Sequence, residues 1–229
     1  MVSVITCTMR QESLRNVFNN YDRQKWSDKE LIIIVNKNDM SVSRWIRRAE
    51  RYDNVTIYKL PEQMTLGKCL NFAIEKAKYS YIAKFDDDDY YGANYLIQAM
   101  RAFQETDADI VGKKDIYVYM EAIQAILLRT KKEISGLGGP TLVFKKEVWD
   151  RVKWPTSMKT GSDTSFKKQC LKHGFKFHST DTSNFVYVRK ADPMEHTWTI
   201  SNEEYLKKCY LITYTKRFKR WVDDLNVPN

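Results

Sequence analysis

Tyr79-Ser80-Tyr81-Ile82-Ala83-Lys84-Phe85-Asp86-Asp87-Asp88-Asp89-Tyr90-Tyr91 sets a strand-forming run directly before four consecutive carboxylates. Four like charges on adjacent residues repel one another, so a positive charge belongs among them. In an extended segment side chains alternate between faces, which sends Asp86 and Asp88 one way and Asp87 and Asp89 the other. One such pair can share an ion. All-oxygen ligands at the mouth of a strand suit a hard divalent cation, Mg²⁺ or Mn²⁺, that also holds a phosphate-bearing substrate. A solvated acidic turn or a structural Ca²⁺ loop would use the same residues, so the choice falls to the rest of the chain.

Upstream, residues 2–6 read as a buried strand, and 12–21 carries Leu14, Val17, Phe18 and Tyr21 at helical spacing. Glu30-Leu31-Ile32-Ile33-Ile34-Val35 is a second strand, apolar on both faces as a central parallel strand should be. Residues 41–52 repeat the helical pattern through Val42, Trp45, Ile46, Ala49 and Tyr52, and 55–58 form a short third strand. A third helix over 67–77 turns Leu66, Leu70, Ala73, Ile74 and Ala77 inward, and residues 79–85 are the fourth strand, ending on the carboxylates. This alternation predicts an α/β fold, a mostly parallel doubly wound sheet whose ligands bind beyond the carboxyl ends of the strands. Residues 6–10, 36–38 and 86–89 should then open on one edge. Lys68 and Asn71 share a polar face near that edge, and a helix amino terminus with a lysine suits a diphosphate. One more exposed lysine is the plainer reading of Lys68.

Downstream, 94–103 reads as a helix and Asp109-Ile110-Val111-Gly112 as a fifth strand. The segment 113–139 mixes strand-like Ile116-Tyr117-Val118-Tyr119 with an apolar run over 122–128 and has no clear assignment. Gly136-Leu137-Gly138-Gly139-Pro140-Thr141 is a turn-rich loop that lets backbone come close to a ligand. It leads into Leu142-Val143-Phe144 and a short helix over 148–152. Thr160-Gly161-Ser162-Asp163-Thr164-Ser165-Phe166 opens a helix with Gly174 as its stop, and Ser162 or Asp163 could simply cap it. Residues 175–177 and 185–188 read as strands, followed by a polar loop containing His196-Thr197-Trp198. Ser201-Asn202-Glu203-Glu204 has capping-box spacing and opens a terminal helix reaching about residue 221. Lys207, Lys208, Lys216, Arg217, Lys219 and Arg220 decorate it. Such a basic amphipathic helix can rest on an anionic membrane. Packing on its own domain with a solvated face is the plainer reading.

A chain of 229 residues suits one domain, and its net charge of +9 suggests an anionic partner. Outside the last helix the cations are dispersed, so charge alone does not choose among nucleic acid, nucleotide, acidic polymer and membrane. Cys7, Cys69, Cys170 and Cys209 form no Cys-x-x-Cys pair, which indicates neither a zinc site nor a disulfide framework. With no signal-like start and no membrane-spanning apolar run, a cytoplasmic location is expected, and the basic helix could add peripheral contact with the inner face of the membrane. A basic module for nucleic acid or acidic polymer would explain the charge but not four aspartates at a strand end. A sugar-phosphate nucleotidyltransferase would place a glycine-rich loop with Arg and Lys after the first strand, and Cys7-Thr8-Met9-Arg10 lacks those glycines.

The order of these motifs resembles the family 2 glycosyltransferases, which have the GT-A fold. The resemblance rests on residues 2–6, on Glu30-Leu31-Ile32-Ile33-Ile34-Val35 and on Leu66-Gly67-Lys68-Cys69-Leu70-Asn71. It continues through residues 81–89, Gly139-Pro140-Thr141-Leu142-Val143-Phe144, Gly161-Ser162-Asp163 and His196-Thr197-Trp198. It implies a metal-dependent transferase, using Mn²⁺ or Mg²⁺, that inverts the anomeric centre of a nucleotide-sugar donor. Asp86 and Asp88 match the family's Asp-x-Asp, with Asp88 the direct metal ligand and Asp86 nearer the ribose or the sugar. Thr6, Thr8, Arg10, Asn36 and Lys68 line the nucleotide site with Asp86 and Asp87, and Asp163 is the catalytic base. His196 lies where some members supply a further metal or diphosphate contact. The implied acceptor is a hydroxyl on a glycan, a lipid-linked molecule or a protein, not nucleic acid, in the making of a bacterial cell-surface or spore-surface glycan.

On this resemblance the chain is a single GT-A domain. Residues 1–105 form the nucleotide-sugar half, 106–200 the acceptor and catalytic half, and 201–229 the basic helix. Two departures stand out. Asn36 replaces the aspartate that usually meets the nucleobase, which favours a UDP-sugar less firmly and leaves dTDP or GDP open. Ser162 stands where many members have a glutamate. The Gln-x-x-Arg-Trp motif of processive members is absent, so one or few sugars are added.

Overall fold

The computed structural model describes residues 1–192, 194, 200–219 and 222. The chain opens with β1 (Val2–Thr8), α1 (Leu14–Arg23), β2 (Lys29–Val35), α2 (Val42–Ala49), β3 (Val55–Lys59), α3 (Leu66–Lys76) and β4 (Tyr81–Lys84), the alternation that the hydrophobic pattern predicts. It continues through β5 (Tyr90–Tyr91), α4 (Tyr95–Glu105), β6 (Ile110–Lys113), β7 (Ile116–Met120), β8 (Ala125–Arg129) and β9 (Val143–Lys145). The remaining elements are α5 (Lys146–Arg151), α6 (Ser162–Lys172), β10 (Phe177–Thr180), β11 (Phe185–Arg189), α7 (Asn202–Leu206) and β12 (Tyr210–Tyr214).

Alternate side chains of β2 serve two different cores. Leu31, Ile33 and Val35 pack with Phe18 of α1, Trp45 of α2 and Leu96 of α4. Ile32 and Ile34 pack with Leu70 and Ile74 of α3 and Phe166 of α6. A strand buried on both faces has no polar side to spare, which is why this one reads as an unbroken apolar run. The main sheet has the order β10-β6-β9-β4-β1-β2-β3. Its block β4, β1, β2 and β3 is parallel. β9 runs antiparallel between β4 and β6, and β6 pairs with β10 in parallel.

A second sheet has the order β12-β8-β7-β11-β5. The stretch 113–139, unassigned by pattern, contains its antiparallel hairpin of β7 and β8. Ile116, Val118 and Met120 face one cluster while Tyr119 and Ile126 face another. Both faces are covered again, so no polar alternation marks the strands.

The terminal helix expected over 201–221 does not form as one element. Ser201 does cap α7, accepting a hydrogen bond from Glu204 N at 3.1 Å. The helix ends at Leu206, however, and Tyr210-Leu211-Ile212-Thr213-Tyr214 becomes β12, antiparallel to β8. β-branched and aromatic residues fit a pleated surface, and the edge of β8 supplies backbone partners that outweigh the helical spacing.

Candidate functional site

β4 stops at Lys84, and residues 87–89 bend rather than extend. The expected split, Asp86 with Asp88 against Asp87 with Asp89, therefore does not occur. Asp87 and Asp88 share the guanidinium of Arg10, whose Nε lies 3.1 Å from Asp87 Oδ2 and whose Nη1 lies 2.9 Å from Asp88 Oδ2. Arg10 Nη2 also meets Asp87 Oδ1. Thr8 donates its hydroxyl to Asp87 Oδ2 at 2.5 Å, and Asp86 accepts from Lys84 Nζ at 2.5 Å. Asp89 is buried and accepts from Val188 N at 2.9 Å, joining the loop to β11. The chain itself supplies the positive charge that four adjacent carboxylates require.

The backbone of this loop hangs from α1. Asn16 Nδ2 donates to Asp87 O at 3.0 Å and Asp89 O at 2.9 Å. Asn20 Nδ2 donates to Asp89 O at 2.8 Å, and its Oδ1 accepts from Tyr91 N at 3.2 Å. Neither asparagine was singled out by pattern. The signal was present: two poor helix formers four residues apart, on a helix whose apolar stripe is Leu14, Val17, Phe18 and Tyr21. Asn20 is 1% exposed. Asn20→Ala strands buried backbone partners and is expected to lower stability by about 2–3 kcal/mol, a fall of roughly 5–10 °C in thermal unfolding. An unchanged Tm would show that the loop holds itself.

Asp163 lies in the first turn of α6, behind Gly161, whose φ of +77° favours glycine. The capping alternative is not what forms, because Gly161 is the N-cap and the turn has no side-chain cap bond. Asp163 Oδ2 instead lies 3.7 Å from Lys84 Nζ. Lys84, with a side chain 2% exposed, thus stands between Asp86 and Asp163. Burial alone would lower the Lys84 ammonium, but Asp163 and Asp86 more than offset it and raise its pKa, so it stays charged. Asp163 Oδ1 is buried without a hydrogen-bond partner among the described residues. Burial raises the Asp163 carboxyl above the ordinary range; Lys84 pulls it down and Asp86 pushes it up. Burial, reinforced by Asp87 and resisted by Arg10, lifts Asp88 to about 7.

Two further contacts shape the cleft. A Cβ on Gly139 would sit 1.9 Å from Asp163 Oδ2, so this backbone abuts the carboxylate and leaves no room for a side chain. The close approach expected of the 136–141 loop is thus made to a protein group. The Tyr91 hydroxyl accepts from Asp86 N and donates to Pro140 O, each at 2.8 Å, tying the acidic loop to the Gly139 turn.

The other residues picked out by sequence are less concentrated. β1 runs on to Thr8, so Thr6 lies within the sheet, 2% exposed, rather than in the loop. Asn36 is 4% exposed, and its Nδ2 donates to Pro61 O at 2.8 Å and Met64 O at 3.3 Å. Its amide hydrogens are committed, which leaves Oδ1 as an acceptor. Lys68 is exposed. The start of α3 beside it is capped by Thr65 and packed on Pro155, whose carbonyl would meet a Cβ on Gly67 at 1.9 Å. Asn71 is a packing residue, bonded to Trp149 and to the backbone of Trp154. His196 lies outside the described residues. Between the loops after β1 and β2 is a cavity of about 400 Å³, lined in part by Arg10, Gln11, Lys37, Met40 and Arg44. Those two loops do open on one edge.

Comparison with known proteins agrees with this architecture. A sequence model described as Glycosyl transferase family 2 matches residues 3–175. The Escherichia coli O-antigen biosynthesis glycosyltransferase WbnJ is 31% identical over 160 residues, which cover 65% of this chain and 63% of that protein. The structure of Staphylococcus aureus TarS 1–349 in complex with UDP-GlcNAc matches with a TM-score of 0.66 at 16% identity, over 82% of this chain and 58% of that one. Mannosyltransferase PcManGT from Pyrobaculum calidifontis, in complex with GDP-Man and Mn²⁺, matches with a TM-score of 0.62 at 17% identity, over 82% and 56%. The matched region spans less than two thirds of each of these relatives, and at such identities the two structures speak to the fold.

Proposed function

The chain belongs to glycosyl transferase family 2, and on that premise we propose that it transfers a sugar from a nucleotide-sugar donor to a hydroxyl acceptor, inverting the anomeric centre with a divalent cation at Asp86 and Asp88. One observation supports this reading above the rest. A single ammonium, Lys84, touches both the strand-end aspartate Asp86 and the Asp163 carboxylate, and the remaining oxygen of Asp163 is buried without a partner. An unsatisfied, desolvated carboxylate oxygen is a poised proton acceptor.

In this mechanism Asp163 takes the proton from the acceptor hydroxyl as that oxygen bonds to the anomeric carbon. The bond from that carbon to the donor diphosphate breaks on the opposite face, which inverts the centre and needs no covalent intermediate. Arg10, with the cavity beside it, receives the nucleotide, while Thr8 holds Asp87 in place. Thr6 and Thr8 are both 2% exposed and act from beneath the site, whereas exposed Lys68 is assigned to the diphosphate. The donor set fits a hard cation: carboxylate oxygens at a strand end, with burial and then Asp87 disfavouring the Asp88 charge against the pull of Arg10. Among the described residues no three side chains converge as a closed metal site, so Asp86 and Asp88 would hold the ion together with diphosphate and water oxygens. A cation so held supplies charge neutralisation for the departing diphosphate. His196 is assigned a further contact with it. Residues 1–105 are assigned to the donor and 106–200 to the acceptor and base. The relative named for O-antigen biosynthesis supports a cell-surface glycan as acceptor.

The committed amide of Asn36 bears on the donor. An acceptor-only group at the nucleobase suits a ring N–H, which uracil, thymine and guanine carry and cytosine lacks. Thermal unfolding with UDP, dTDP, GDP and CDP, each with and without Mn²⁺, tests both points. Metal-dependent stabilisation by UDP, dTDP or GDP, least by CDP, is expected, and Asp88→Ala should abolish the metal requirement along with most of the shift. No nucleotide response with any metal would reject the donor site.

A further inference from the structure

Twelve large apolar side chains are exposed among the described residues, and four of them sit together on β12: Tyr210 (66%), Leu211 (52%), Ile212 (43%) and Tyr214 (67%). The rest are scattered singly, as on any folded surface. β12 is a sheet edge, paired on one side only. A strand with one face on a core alternates buried and exposed residues, whereas 210, 211 and 212 are exposed in succession, so β12 stands out from the sheet on both faces.

The strand is nevertheless fixed at both ends. Tyr205 before it is 1% exposed, Phe218 after it stacks on Tyr119 with ring centroids 4.4 Å apart, and Val222 is fully buried. Cations flank it on either side: Lys207 and Lys208 before, Lys216, Arg217 and Lys219 after, all exposed. No acidic residue occurs from Tyr205 to Val222.

We propose that β12 and its flanking cations form a docking surface for an anionic lipid membrane. Tyrosine at the headgroup level, Leu211 and Ile212 at the acyl boundary and lysines on lipid phosphates satisfy both halves of the patch at once. A second copy of the chain is a poorer occupant. Antiparallel pairing of two β12 edges would set Lys207 and Lys208 of one copy beside Lys216 and Arg217 of the other, like charge against like. A polyanion in water would meet the cations and leave the apolar side chains wet. Among the described residues no helix is long and apolar enough to cross a membrane, so the contact is peripheral. The proposal does not depend on the sugar-transfer reading.

Co-sedimentation of the full chain with phosphatidylcholine vesicles, with and without phosphatidylglycerol, tests it. Binding is expected to the phosphatidylglycerol vesicles and to be weak without them. Lys216→Gln with Arg217→Gln should lower the partition coefficient about 30-fold, and Leu211→Asp with Tyr214→Asp should abolish binding, both with unchanged circular dichroism and unchanged nucleotide-induced thermal shifts. Absence of binding, equal binding to both vesicles, or binding that survives both double variants overturns the proposal. So does a wild-type dimer in light scattering that Leu211→Asp dissociates, which would make this face an interface between copies.

Discussion

Asp163→Asn is expected to lower the rate of sugar transfer about a thousandfold or more while leaving donor affinity within about threefold. The amide keeps the size and shape of the carboxylate, and Gly139 packs against it as before. What it loses is the capacity to accept a proton at the oxygen that now lacks a partner. On the proposed mechanism donor binding rests on Arg10 and the acidic loop rather than on the Asp163 carboxylate, and should persist. Single-turnover transfer and calorimetric nucleotide titration measure the two quantities separately. A variant that keeps its rate, or that loses affinity and rate in parallel, would remove Asp163 from the role of base.

Lys84→Met should produce the second large effect, and a different one. The ammonium is buried, stays charged, and is shared by two carboxylates. Both partners retain some solvent contact, so screening tempers the loss, and a stability decrease of about 1–3 kcal/mol is expected from thermal unfolding. The sharper consequence concerns pH. Lys84 favours the ionised form of Asp163, so its removal raises that carboxyl further above the ordinary range. A base must be ionised to act, so the acidic limb of kcat/KM should move to higher pH. Lys84→Arg, which restores the charge, should move the limb back. If the variant merely unfolds earlier with an unshifted pH profile, Lys84 is a structural tie and nothing more.

The first four strands and three helices were legible because their information is local: β2 is apolar throughout, and α1, α2 and α3 each carry one stripe. The hairpin of β7 and β8 was not, since both of its faces are covered and alternation disappears. β12 failed for a tertiary reason. Its partner edge, β8, lies far back in the chain, and helical spacing of Tyr205, Leu206 and Cys209 gave no hint that the next residues would pair with it. At the site, the need for positive charge among the aspartates could be read from the sequence, yet its source could not. Lys84 acquires its meaning only when folding brings Asp163 to it from the start of α6. Asp163 itself came from resemblance and order of motifs; composition and spacing alone fitted a helix cap equally well.

β9 has a consequence for how the chain reaches its native state. It is the strand that completes both β4 and β6, and it is translated well after either of them. While the ribosome is still making residues 114–142, the nascent donor half can collapse around β1 and β2, but β4 and β6 present open edges to the crowded surroundings. Strands left waiting in this way are where intermolecular pairing starts, so Val143→Pro, which removes a donor from β9, should leave newly made protein dependent on chaperones and prone to deposit in inclusion bodies.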